Sequence, residues 1–262
     1  MKLIFLFLLF ISSIIPQEKI EYHNNLKKYF DDYSVKGSFL LYNLNEDEYT
    51  CYNLERCRER FLPASTFKIF NSLVGIETGI ISDSNFIFYW DSTKYPVSNW
   101  NQDLILRKAF QYSCVPCYQA LARKIGMERM KYYIDKEHYG NEVMTGPIDY
   151  FWLNATLKIS QIEQINFLKR LFKEELNFSH KAIQLVKYIM LVENTQEYKL
   201  RAKLGWGIQQ DSINIGWYVG YIEKDNNVYF FATNIESNDP SENFGNARIE
   251  ITRSVLKILK LL

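Results

Sequence analysis

Residues Pro63-Ala64-Ser65-Thr66-Phe67-Lys68 decide how the chain is read. If a helix opens here, positions three apart share one face, so the Ser65 hydroxyl meets the Lys68 amine. The N-terminus of such a helix also favours developing negative charge. A nucleophile beside a base is the core of covalent catalysis. The Ser-x-x-Lys spacing is a short pattern, and it recurs at Ser254-Val255-Leu256-Lys257. That second copy lacks companions and reads as a solvated helix face.

Ser65 does have companions. Ser113-Cys114-Val115 follows 48 residues on, Tyr139-Gly140-Asn141 26 further, and Lys203-Leu204-Gly205 64 beyond that, with Phe151-Trp152-Leu153 between the last two. Ser-x-x-Lys accompanied by Ser-Asp-Asn and Lys-Thr-Gly is the set of active-site serine β-lactamases and penicillin-binding proteins. Here Ser-x-Val and Tyr-Gly-Asn replace the Ser-Asp-Asn scheme. In this the chain resembles the class D (oxacillinase-type) β-lactamases, from about Tyr33 to the C-terminus and including the late Gly216-Trp217-Tyr218-Val219-Gly220 run.

The resemblance implies a role for each matched residue. Ser65 attacks the lactam carbonyl and carries the acyl group. Lys68 reacts with CO₂ to become N6-carboxylysine, the general base; no other cofactor is implied. An unperturbed lysine, with a pKa of about 10.4, is protonated and cannot do this. An apolar pocket from Phe67, Val115, Trp152 and Leu153 would depress it and leave a neutral amine. Trp152 has one indole N–H to donate to the carbamate; without the resemblance it reads as a core aromatic. Ser113, otherwise an N-cap, relays a proton to the leaving nitrogen, and Lys203 presents positive charge to Ser113 and the substrate carboxylate. The oxyanion hole falls to the backbone N–H groups of Ser65 and Trp206. Tyr139-Gly140-Asn141 reads as a shaping turn, and Trp100 as an aromatic that could line the cleft mouth.

One departure stands out. Where the family has Lys-Thr-Gly or Lys-Ser-Gly, this chain has Leu204, which cannot hydrogen-bond the carboxylate. That removes a contact to a charged group worth about 1.5–3 kcal/mol. Arg248 matches the place of the family's carboxylate-binding arginine and can hold the group bidentately.

Around these motifs the sequence reads as strands at both ends and helices between. Strand-like runs fall at 37–44, 49–53, 198–208, 215–223 and 228–235, the last two flanking an Asp225-Asn226-Asn227 hairpin turn. Ser160-Gln161-Ile162-Glu163 is a capping-box signal for a helix over 165–176, Ser179 caps 182–192, and 248–262 is an amphipathic helix. The expected fold is α+β and β-lactamase/transpeptidase-like: an antiparallel sheet built from both chain ends, flanked by helices, with an inserted all-helical lobe and the site in the cleft between.

The first residues, Met-Lys and then an apolar run over 3–15 broken only by Ser12 and Ser13, read as a secretory signal peptide over 1–17, with the catalytic domain over 18–262. Removing 1–17 deletes Lys2 and leaves 30 basic against 30 acidic residues. That balance suits a small-molecule β-lactam rather than nucleic acid, while the leader implies a periplasmic or secreted protein with no membrane attachment after its removal, an uncleaved membrane anchor being the alternative. Three histidines without ligand spacing give no metal site, and no glycine cluster opens a phosphate loop. Cys51 and Cys57 could bridge a loop if their Cα atoms approach to about 6 Å. Cys114 and Cys117 read as two small buried hydrophobes rather than a bridge or redox pair. Beside hydrolysis, the alternatives are a receptor domain that is acylated by β-lactams without turnover, a cell-wall transpeptidase or carboxypeptidase, and a thiol oxidoreductase.

Overall fold

The computed structural model describes residues 19–262 except 211, 239, 241 and 242. The signal peptide expected over 1–17 lies outside the described residues. The strands are β1 (Lys19–Tyr22), β2 (Lys36–Asn43), β3 (Glu48–Tyr52), β4 (Ile87–Phe88), β5 (Leu104–Ile105), β6 (Leu191–Asn194), β7 (Tyr198–Gln209), β8 (Ile213–Lys224) and β9 (Asn227–Ser237). The helices are α1 (Lys27–Asp31), α2 (Leu54–Arg58), α3 (Lys68–Glu77), α4 (Leu106–Gln111), α5 (Val115–Ile125), α6 (Met127–Lys136), α7 (Gln161–Lys173), α8 (His180–Ile189) and α9 (Phe244–Ile258).

A seven-stranded sheet in the order β1-β3-β2-β9-β8-β7-β6 joins the two chain ends. Strands β2 and β9 make that junction, antiparallel, with Leu40 opposite Ala232. The sheet is covered on both faces, which is why β8 reads as an almost unbroken apolar run. Its period of two sorts the side chains. Trp217, Val219 and Tyr221 enter the core shared with the helical lobe. Tyr218 and Ile222 enter a second core, under α1 and α9, with Phe30, Phe244, Ile251 and Val255. The β8–β9 hairpin turns at Asp225 and Asn226, both at positive φ (50° and 56°), the conformation Asp and Asn tolerate best.

Three expectations about the fold are corrected. Strand β1 runs parallel to β3, with Ile20 opposite Tyr49, so the sheet is mixed rather than wholly antiparallel. Lys19-Ile20-Glu21-Tyr22 is a largely exposed edge of four residues, too short for its alternation to mark a strand. Helix α8 does carry its cap, the Ser179 side chain accepting from Ala182 N, but it stops at Ile189, short of residue 192. The next residues form β6 because the β7 edge offers them backbone partners, beginning with Ala202 N donating to Met190 O at 2.9 Å. The third correction concerns sulfur. Cys114 and Cys117 form a disulfide across the first turn of α5, with Cα atoms 5.4 Å apart. Cys51 and Cys57 are free and buried, their Sγ atoms 3.8 Å apart. A separation of three at a helix start brings two cysteines together as it does any i, i+3 pair.

The Ser160–Glu163 capping box opens α7 as expected. Its first residue, Gln161, is buried against the sheet, donating to Ser38 O and Ala232 O, which ties the helical lobe to β2 and β9. Helix α9 spans Phe244–Ile258, one turn earlier at both ends than its apolar spacing suggested. No helix of the described residues is long and apolar enough to cross a membrane.

Candidate active site

The turn that carries Ser65 is pinned from three sides before α3 begins. Phe61 exchanges backbone hydrogen bonds with Ile159, Trp217 Nε1 donates to Leu62 O at 2.8 Å, and Thr66 donates to Pro63 O through both its N–H (3.1 Å) and its hydroxyl (2.8 Å). Within it Ala64 sits at φ 47°, a left-handed conformation that a non-glycine residue adopts at a cost of about 1–3 kcal/mol. The surrounding bonds impose that geometry, and the chain leaves it through a 3₁₀ turn (Ala64–Phe67) into α3.

Ser65 and Lys68 meet as their spacing predicts, with Lys68 Nζ donating to Ser65 Oγ at 2.9 Å. Lys68 is wholly buried, and burial lowers its pKa from 10.5 to about 7. The face of Tyr118 lies 5.3 Å from Nζ, and the Tyr118 hydroxyl is held by Ser72 at 2.8 Å. Phe67, beside Lys68, stacks on Trp152 at 5.5 Å. Trp152 is fully buried and its Nε1 has no hydrogen-bond partner among the described residues. An orphaned buried N–H costs on the order of 1–3 kcal/mol, so the site holds a donor with nothing to donate to. Val115 and Leu153 are half-buried.

Ser113 and Lys203 form the second pair, Lys203 Nζ donating to Ser113 Oγ. Ser113 has φ 53° and lies one residue before the N-cap of α5, which is Cys114. It therefore serves the cleft rather than the helix end. Lys203 is buried, with Nζ 5.1 Å from the Phe110 ring centre, and its pKa is held well below the ordinary lysine value by burial and by the charges of Lys68 and Arg248. Arg248 is also buried, which lowers it to about 10, and its Nε and Nη1 have no partner among the described residues. Three basic side chains thus converge, with two guanidinium nitrogens that have no partner among the described residues. This is a binding field for an anion.

Strand β7 runs past the Ser65 turn so closely that a Cβ on Gly205 would lie 3.0 Å from Pro63 O, and one on Gly207 2.6 Å from Leu62. The Ala202 N–H points away from β8 to Met190. On an antiparallel strand that direction repeats every second residue, so the N–H groups of Leu204 and Trp206 point from the same edge. β6 pairs only as far as Arg201, which leaves them on a free edge. The Leu204 side chain packs toward α9, the helix that carries Arg248, and has no hydroxyl to offer an anion. Trp206 is half-exposed, its Nε1 bonded to Asn214 Oδ1 at 2.9 Å and its ring 5.7 Å from the Arg248 guanidinium.

Two of the remaining features act on the frame. Tyr139-Gly140-Asn141 is a shaping turn. Asn141 accepts from Lys158 N through its side chain and donates to Thr156 O, clasping the segment that follows Trp152. Trp100 lines a groove with Trp90, Tyr95 and the Cys114–Cys117 bridge, and its Nε1 donates to Tyr112 O at 3.0 Å, bracing the turn that presents Ser113. The second Ser-x-x-Lys copy remains on the surface side of α9, with Lys257 exposed. Sequence reasoning missed Ala64, Tyr118 and Phe110. A dihedral angle has no sequence signal, and the two rings look like any other core aromatics.

Comparison with known proteins agrees with this geometry. The family described as the penicillin binding protein transpeptidase domain matches residues 21–257. The chain is 39% identical to "Beta-lactamase OXA-48" of Klebsiella pneumoniae over 89% of this chain and 87% of that one. It superposes on the crystal structure of a class D β-lactamase from Nostoc with a TM-score of 0.87 and 48% identity, covering 92% of this chain and all of that one. It also superposes on the C-terminal domain of the Bacillus licheniformis BlaR penicillin receptor, with a TM-score of 0.89 and 35% identity over 95% of this chain and 99% of that one.

Proposed function

The chain belongs to the class D β-lactamases, within the penicillin-binding transpeptidase-domain family, and we propose that it hydrolyses β-lactam antibiotics through a Ser65 acyl-enzyme with Lys68 as general base. The wholly buried Lys68 amine, 2.9 Å from Ser65 Oγ and titrating near 7, carries this reading. At neutral pH about half of such amines are uncharged. A carbamate formed there from CO₂ would supply an anionic base, and the unpartnered Trp152 Nε1 is the donor that fits it.

Ser65 loses its proton on the Lys68 side as Oγ attacks the lactam carbonyl carbon. The N–H groups of Ser65 and Trp206 receive the oxyanion, the latter from the free edge of β7. As the C–N bond breaks, the nitrogen takes a proton through Ser113, which Lys203 holds in place. Water then attacks the acyl ester, aided by the same base, and Ser65 is regenerated. Lys203 and Arg248 hold the substrate carboxylate, Arg248 through the two nitrogens that have no partner among the described residues. Hydrolysis destroys the antibiotic and so confers resistance. The apolar run over 3–15 supports export to the periplasm or the medium.

Likeness to the BlaR receptor domain supports a second reading, acylation without turnover. Purified protein incubated with an excess of a chromogenic cephalosporin separates the two. We expect many turnovers per protein molecule; a single stoichiometric burst would establish the receptor.

A further inference from the structure

Where β6 stops pairing with β7, a cavity of about 310 Å³ opens beside Lys203. Its walls include Phe110, Met190, Leu191, Leu204, Tyr218 and Ile249, and the Glu193–Arg253 ion pair (2.5 Å) stands at its rim. The cavity shares Lys203 and Phe110 with the catalytic cleft, since the Lys203 ammonium lies over the Phe110 ring. Its volume falls at the small end of the roughly 300–1,000 Å³ typical of ligand sites. A threonine or serine in place of Leu204 would put a hydroxyl into this wall; leucine makes it apolar.

Position along β7 says what the cavity is for. Reading backwards from Gly207, the strand passes the Ser65 turn at Gly205 and reaches Ser113 through Lys203, and its Leu204, Lys203 and Ala202 form the near wall of the cavity, which extends from there toward β6. A β-lactam with its carbonyl at Ser65 and its carboxylate at Lys203 and Arg248 lies along the strand in that order. The side chain on the carbonyl side points away from the cavity, and the substituent on the ring that bears the carboxylate points toward it. We propose that this cavity is a subsite for an apolar substituent on the carboxylate-bearing ring, and that Leu204 makes the enzyme selective for β-lactams that carry one. The inference rests on the hydrolase reading above.

Steady-state kinetics on two cephalosporins tests it, the two sharing one acylamino side chain and differing only beside the carboxylate, methyl in one and an arylthiomethyl group in the other. An apolar group entering such a cavity should raise kcat/KM by at least about tenfold. Val192, about half exposed on the cavity wall, provides a conservative way to fill the space. Val192→Trp should abolish the preference while leaving the methyl compound within about twofold of wild type. Leu204→Thr should also reduce the preference, by making the wall polar. Equal kcat/KM for the two compounds in the wild type, or a preference that survives Val192→Trp, would overturn the subsite while the hydrolase reading stands. Hydrolysis of neither compound would overturn both.

Discussion

Arg248 and Lys68 stand out at the scale of single residues because each is a buried basic side chain with no acidic partner among the described residues. The buried Arg248 keeps Nε and Nη1 without a partner among the described residues, and Leu204 on β7 has no hydroxyl to share its task. A charge-assisted contact of about 1.5–3 kcal/mol corresponds to roughly 10- to 150-fold in binding. Arg248→Ala should therefore raise KM for a penicillin by that factor, and Leu204→Thr should recover part of it in the Arg248→Ala background. An unchanged KM would place carboxylate recognition elsewhere. For Lys68 the sign of the pH effect follows from its lowered pKa. Below about 7 the amine is a cation and cannot take up CO₂, and above it the neutral form is available. Activity should fall as pH drops through 7 in CO₂-depleted buffer, and added bicarbonate should restore it. With ¹³C-bicarbonate, a carbamate signal should appear in the wild type and be missing from Lys68→Ala. Stability follows the same linkage: between about 7 and 10.5 the unfolded lysine holds a proton that the native one lacks, so this residue's contribution rises with pH across that window. The melting-temperature gap between wild type and Lys68→Met should change across the window and level off above it.

Among the elements, the turns before α3 and α5 hold the reacting groups, and the Tyr139–Asn141 turn shapes the frame around them. The disulfide closes the first turn of α5 just after Ser113, yet Ser113 is also held by Ser113 N donating to Phe110 O and by the Trp100 contact to Tyr112 O. Cys114→Ala with Cys117→Ala should thus keep most activity. Closing a loop of about four residues is worth roughly 2 kcal/mol on the chain-entropy estimate, so the double variant should melt several degrees lower, at the temperature of the reduced wild type. Loss of activity in proportion to reduction would show instead that the bridge positions Ser113. Gly140 offers a sharper test. A Cβ there would lie 2.2 Å from Lys158 O at a φ of +59°, so Gly140→Ala must displace the segment that Asn141 clasps. It should lower both stability and kcat, with fluorescence reporting the disturbed Trp152. Unchanged kcat and melting temperature would deny the turn its shaping role. Long, strongly patterned elements such as β7, β8, β9 and α7 were legible in the sequence, because burial on alternate sides or a capping box fixes them locally. β1 and β6 were not, since each is four residues long and exists only because a neighbouring edge needs a partner. The disulfide was illegible too: spacing alone does not decide whether two thiols at i and i+3 stay apart.

Over the whole molecule, one sheet made from both chain ends brings the Ser65 turn, the Ser113 turn and β7 to a single cleft, although Ser65 and Lys203 lie 138 residues apart. The motifs and the family resemblance they carry nominated Ser65, Lys68, Ser113 and Lys203, and the structure pairs them two by two. What spacing could not express was backbone: the left-handed Ala64, and the free edge that aims the Trp206 N–H. The central claim is that Ser65 carries the acyl group and that Lys68 is needed to remove it. Intact-protein mass spectrometry after mixing with a penicillin tests this most directly, on the wild type, Ser65→Ala and Lys68→Ala. Lys68→Ala should accumulate a long-lived penicilloyl adduct, Ser65→Ala should show none, and the wild type should return to the free mass once substrate is spent. An adduct on Ser65→Ala, or wild-type turnover by Lys68→Ala, would contradict it.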